Sequence, residues 1–271
     1  MSKDSSSKPA KSNTAAPVES AKKSDGAPVS WGPASAIIVS IVSFIVGFVV
    51  AGGTAYLVAG LMGSSQQQAN DWLNSVYGQF LFVLLAEGLV VGTVVFFLHR
   101  RKTSLRAVGF HRSPIASDVG FALIGFVVYF IALIAATAFA QHLFKVNIDQ
   151  KQELGFDNVA TAGQKLVTFI SLVVLPPLAE ETLFRGFLYT GLRKKLPYIW
   201  TALFVSLAFA SLHLMEGSQG LLWIAGIDTF ILSMVLCYLR EKTGNLWAGI
   251  LVHALKNGLA FTFLYIIGVN V

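Results

Sequence analysis

Seven long apolar stretches organise the chain, each separated from the next by a short polar or basic segment. They predict helices at about 34–63, 76–99, 118–143, 165–192, 199–214, 220–240 and 246–268. The fifth is short, as expected of a helix that stops at a water-filled cavity. Within the first stretch, Gly47, Ala51, Ala55, Ala59 and Gly63 recur at a spacing of four. Such a ridge of small side chains lets another helix approach closely. The segment 144–164 carries a weak pattern for an interfacial helix, and no internal repeat is visible.

Residues 1–30 break the pattern. They hold eight Ser, five Lys and three Pro and no aromatic residue. Such a segment cannot bury a core, which predicts a disordered tail. It is too long and polar for a signal-peptide n-region, and the apolar run after it is long enough to span and stay. The whole chain of 271 residues is 55% hydrophobic and 13% charged, with a mean hydropathy of +0.67. That excludes a soluble domain and predicts an all-α polytopic membrane protein of about seven transmembrane helices.

The net charge of +6 matters through its placement. Arg100, Arg101, Lys102, Arg106 and Arg112 fall in one loop, Arg193, Lys194 and Lys195 in a second, Arg240 and Lys242 in a third. The alternate loops 64–75 and 215–219 have no Lys or Arg. The positive-inside rule then places the N-terminus in the cytoplasm and the C-terminus outside, in a cell membrane expected to be bacterial. This charge is a topology signal, and no nucleic-acid partner is expected. Trp31, Trp72, Trp200, Trp223 and Trp247 stand near helix starts, as an interfacial aromatic belt would. Cys237 is the only cysteine, so no intrachain disulfide can form; a buried, inert thiol is expected.

Polar residues interrupt the later helices in three clusters. The first is Glu180-Glu181-x-x-x-Arg185, after Pro176-Pro177; the second is Phe209-x-x-x-His213; the third is His253-x-x-x-Asn257. Charges at membrane depth are costly and mark functional sites by default. Glu181 and Arg185 share a helix face and can pair, while Glu180 is turned about 100° away. At ~1.5 Å per residue, Glu180 lies roughly 20 Å, His213 roughly 22 Å and His253 roughly 12 Å from the cytoplasmic helix ends, so an intramembrane cavity could hold all three. Gly249, one turn before His253, leaves room for a chain to approach.

These groups suit hydrolysis of an amide bond. Glu180 can take a proton from water, and His213 can hold that water or pass a proton to the leaving amine. His253 and Asn257 can donate to the oxyanion. Two histidines and a glutamate are also zinc-ligand types, but no His-Glu-x-x-His is present, and no metal or other cofactor is expected. A non-enzymatic immunity factor or scaffold, and a transporter with a proton relay, are the remaining alternatives. Asp228 and Lys256 are expected to pair. Glu87, in the middle of the second stretch, has no assigned partner and is a candidate to face the cavity.

The ordered set Glu-Glu-x-x-x-Arg, Phe-x-x-x-His and His-x-x-x-Asn, with Tyr238-Leu239-Arg240-Glu241-Lys242-Thr243-Gly244-Asn245-Leu246-Trp247 before the last, resembles the CPBP family of CAAX proteases and bacteriocin-processing (Abi) proteins. The resemblance covers roughly 165–262. It implies an intramembrane glutamic endopeptidase, related to type II CAAX-prenyl proteases, acting on membrane-associated or CAAX-like peptides. It further implies Glu180 as base, His213 as its partner, His253 and Asn257 as oxyanion donors, and Glu181 with Arg185 holding the site. The expected organisation is a cytoplasmic tail at 1–30, three helices and a loop at 31–160, and a CPBP-like catalytic membrane domain at 161–271.

Overall fold

The structure is a computed structural model that describes residues 29–63, 65–147, 155–156, 158–215 and 220–268. Residues 1–28 of the expected tail, and 148–154 and 157 of the segment 144–164, lie outside the described residues. The described residues are mostly helical, with no strand among them. The helices are α1 (Pro33–Met62), α2 (Gln66–Leu73), α3 (Val76–Arg100), α4 (Ala116–Phe144), α5 (Ala162–Arg193), α6 (Tyr198–His213), α7 (Trp223–Thr243) and α8 (Trp247–Ile267). Six are long and apolar enough to cross a membrane, and α6 is the shorter apolar helix. The protein is thus an all-α, multi-pass membrane protein.

The small ridge of α1 packs as its spacing implies. Gly47, Ala51, Ala55 and Ala59 are buried, and α1 lies along α3. A Cβ at Gly47 would stand 2.9 Å from the Ala86 carbonyl oxygen, so only glycine permits that approach. The loop 64–75 holds an additional helix, α2. Its apolar content is too low for the periodicity signal, but Ser65 and Gln68 close a reciprocal capping box at its start.

Helix α5 lies at the centre and is not regular. Its turns widen to π geometry over Ile170–Val174 and again over Glu181–Leu188, on either side of Pro176-Pro177. Residues 181–188 are all buried. Around them pack Val90, Val94 and Leu98 of α3, Ala202, Val205 and Phe209 of α6, and Cys237 of α7, a buried free thiol as expected. A second apolar cluster joins α4 to α7 and α8 through Tyr129, Leu232, Leu236 and Val252. Beside it Lys256 pairs with Asp228 at 3.0 Å, the expected pair, and Asp228 also accepts from the Tyr129 hydroxyl.

One tryptophan departs from the interfacial belt. Trp31 is 2% exposed. Its ring stacks on Phe187 at 4.9 Å and its indole N–H donates to the Phe187 carbonyl at 3.1 Å. Gly191 makes this possible, because a Cβ there would lie 2.8 Å from the indole. Trp31 is therefore a core anchor tying the N-terminus of α1 to α5, with its polar atom satisfied internally.

Candidate active site

The two carboxylates that open the π turn of α5 face different surroundings. The Glu181 side chain is 1% exposed and that of Glu180 is 20% exposed. One residue of helix rotation accounts for this, turning Glu181 into the bundle and Glu180 toward a cavity. Glu181 Oε1 accepts from Arg185 Nη1 at 3.0 Å and from His253 Nδ1 at 3.2 Å. His253 Nε2 lies 3.8 Å from Glu180 Oε2. A continuous chain therefore runs Arg185–Glu181–His253–Glu180, across α5 and α8. A water off the line between His253 Nε2 and Glu180 could touch both.

Two features of the packing hold this chain. Gly249 places no Cβ against Glu181; an added one would sit 3.3 Å from Glu181 Oε2. The space expected for an approaching chain is filled by the Glu181 carboxylate itself. The Phe209 ring lies 4.4 Å from Arg185 Cζ, and among the described residues Arg185 Nε and Nη2 have no hydrogen-bond partner. A π face thus covers the part of the guanidinium that no acceptor reaches. Phe209 also touches both imidazoles, His213 at 4.7 Å and His253 at 6.0 Å between ring centroids. Nothing in the spacing of Phe209-x-x-x-His213 revealed that the phenyl ring sits between the two histidines.

His213 is set at the C-terminal end of α6. Its Nδ1 stands 3.0 Å from the Phe209 carbonyl. A carbonyl only accepts, so Nδ1 carries the proton, and in the neutral ring Nε2 is left as the acceptor. Asn257 lies one turn beyond His253, where Nδ2 donates to the Leu172 carbonyl at 2.9 Å.

Beside these groups lies a cavity of about 240 Å³, room for several waters. Glu180 and His213 line it, together with Pro176 and Phe184 from α5. Three further lining residues come from outside the motif-bearing helices: Phe44 and Phe48 of α1 and Glu87 of α3. The structure therefore brings Glu180, Glu181, Arg185, His213 and His253 into one site, with Asn257 at its edge. Among the described residues no group of three His, Cys, Asp or Glu side chains is spaced to hold a metal ion.

Comparison with known proteins bears on the same segment. Residues 162–259 match the model of a family described as Rce1-like, type II CAAX prenyl endopeptidase. This is the family that the three motifs resemble. An uncharacterized 24.3 kDa protein of Escherichia coli is 32% identical over 102 residues, covering 36% of this chain and 44% of that protein. The chain thus spans less than half the length of that curated relative. No solved structure matches. The matched segment begins at the first residue of α5 and contains every motif residue named above, whereas Phe44, Phe48 and Glu87 lie outside it.

Proposed function

We propose, on the premise that residues 162–259 are a segment of the Rce1-like protease type, that the protein is an intramembrane endopeptidase in which Glu180 activates water. The observation that carries this is the contact chain Arg185–Glu181–His253–Glu180 at the wall of a cavity that also takes His213. Glu180 is the member of the carboxylate pair that reaches the cavity, so it is the group that can draw a proton from water. His213, with Nδ1 committed to the Phe209 carbonyl, holds that water through Nε2. Attack on a peptide carbonyl then builds negative charge on its oxygen. His253 stabilises it together with the second Nδ2–H of Asn257, the first being given to the Leu172 carbonyl, each such donor being worth ~10²–10³ in rate. Because His253 donates through Nδ1 to Glu181, it serves the oxyanion only with a second proton on Nε2. Glu181 and Arg185 orient it.

The reading assigns catalysis to 161–271 and a share of the cavity wall to the helices of 31–160. It places the protein in a cell membrane, N-terminus cytoplasmic, with membrane-associated peptides of CAAX-like type as substrates. No metal enters this scheme. The test is cleavage of a quenched fluorescent peptide ending in a CAAX sequence, farnesylated and unmodified, by purified protein in nanodiscs. Wild type cleaves and Glu180→Gln, folded and inserted, does not; equal turnover by the two removes Glu180 from the mechanism.

A further inference from the structure

Glu87 is a carboxyl that this mechanism leaves unused. It stands in α3, outside the family segment, yet it lines the main cavity together with Glu180 and His213. These three are the titratable residues on that wall among the described residues. Glu87 and Glu180 also border a small second pocket that shares part of this wall and is otherwise lined by apolar groups that include Phe44, Phe48, Leu183 and Phe184. Helix α3 packs directly on the stretch Leu175–Glu180, so the juxtaposition belongs to the packed interior. No described Lys, Arg or His makes an ion pair with Glu87; Arg185 pairs with Glu181, and His253 faces Glu181 and Glu180.

Charge accounting gives this placement a consequence. Arg185 balances Glu181, and His253 is shared between Glu181 and Glu180. A second ionised carboxyl on the same apolar wall would leave the cavity with an uncompensated negative charge, so two such groups keep one proton between them. The departing amine also needs a proton, which comes either from Glu180 after it has taken one from water or from a second acid on the cavity wall. His213 Nδ1–H is committed to Phe209, and its Nε2 accepts.

We propose that Glu87 is the general acid of the site, holding the proton that Glu180 lacks and delivering it to the leaving amine. This rests on the reading of Glu180 as base. In the first step water gives one proton to the Glu180 carboxylate and its oxygen bonds to the carbonyl carbon, leaving the carbonyl oxygen negative. In the second, that oxygen re-forms the double bond, the C–N bond breaks, and nitrogen takes the proton of Glu87. The products are a carboxylic acid and an amine, with Glu180 protonated and Glu87 ionised. Transfer of that proton from Glu180 to Glu87 restores the starting state.

The experiment compares two matched substrates in nanodiscs: a peptide amide, and the same sequence with an ester of an acidic alcohol at the scissile position. The ester's leaving group departs without protonation. Expected for Glu87→Gln is a fall in kcat on the amide of about 10²–10⁴-fold at little-changed KM, and a fall of less than tenfold on the ester. Glu87→Asp should recover part of the amide rate. Equal losses on both substrates, with an unchanged melting temperature, overturn the assignment, as does wild-type amide turnover by Glu87→Gln. A rise in KM confined to substrates with basic side chains also overturns it and makes Glu87 a recognition group. Glu180→Gln is the internal control. If it cleaves both substrates at wild-type rate, the base assignment fails; if it is inactive while Glu87→Gln is unaffected, only the acid assignment fails.

Discussion

The side-chain amide of Asn257 donates to the carbonyl of Leu172 at 2.9 Å. The sequence of α5 explains why that carbonyl needs a partner from another helix. In an α-helical turn Leu172 would receive the amide of residue 176, and in a π turn that of residue 177. Both are prolines, which have no N–H. Leu172 is thus the carbonyl for which neither geometry supplies a donor, and α8 supplies one through Asn257. Removing the amide by Asn257→Ala leaves a partly buried carbonyl unsatisfied and should cost about 1–3 kcal/mol. Pro176→Ala restores a backbone donor at the first of these positions. Unfolding measurements on the two single variants and the double variant should show positive coupling, and additivity within error would contradict this account of Asn257.

Glu181 serves two partners through one oxygen. Glu181→Ala strands Arg185 as a buried charge and frees His253 to rotate. A loss of about 3–5 kcal/mol is expected, with lower expression and no peptide turnover. Glu181→Gln keeps the shape and one acceptor and should be milder in stability. Thermal melting in detergent distinguishes the three proteins, and a Glu181→Ala variant as stable as wild type contradicts the pairing.

Two glycines should respond differently to alanine. At Gly191 the new Cβ would stand 2.5 Å from Ala36 Cβ and 2.8 Å from the Trp31 ring. Backbone and ring must both move, and overpacking of this kind costs typically about 1–3 kcal/mol. At Gly249 the nearest atom is Glu181 Oε2 at 3.3 Å, so the carboxylate need give by only a few tenths of an ångström. Gly191→Ala should lower the melting temperature, while Gly249→Ala should chiefly lower kcat by moving Glu181 and with it His253. Equal melting shifts in the two variants would contradict this division.

Much of the fold was legible because apolar runs of 20 or more residues have few alternatives to a spanning helix. The ends of α1, α3 and α4 fall within a few residues of the sequence-based bounds. Helix α2 was hidden because Gln66-Gln67-Gln68 carries no apolar period, and its signal lies in the cap at Ser65. Trp31 misled because an indole at a helix start is as much at home in an interface as against a carbonyl made accessible by Gly191. The grouping of Glu180 with His253 was reachable only roughly from depth arithmetic, since a straight-rod rise ignores tilt and the wider turns of α5. The role of Phe209 depends on which helices are neighbours, and local spacing carries no trace of that, whereas Glu87, a charge in the middle of an apolar stretch, was expected to face the cavity and does line it.

Metal removal offers a separate check on the chemistry. With Glu180 as base and His213 as the acceptor for its water, the mechanism calls for no ion. Peptide cleavage should survive prolonged treatment with a strong chelator, and purified protein should lack stoichiometric zinc. Activity lost on chelation and restored by equimolar Zn²⁺ would recast His213 and His253 as ligands.

The most direct measurement of the central claim compares the protein C-termini of membranes that contain wild type with those of membranes that contain Glu180→Gln at equal abundance. The substitution is nearly isosteric and removes only the base. The account predicts a discrete set of C-termini, in membrane-associated proteins, that are present with wild type and absent with Glu180→Gln. Identical sets from the two membranes, with a CAAX-type peptide cleaved equally by both proteins, would contradict it.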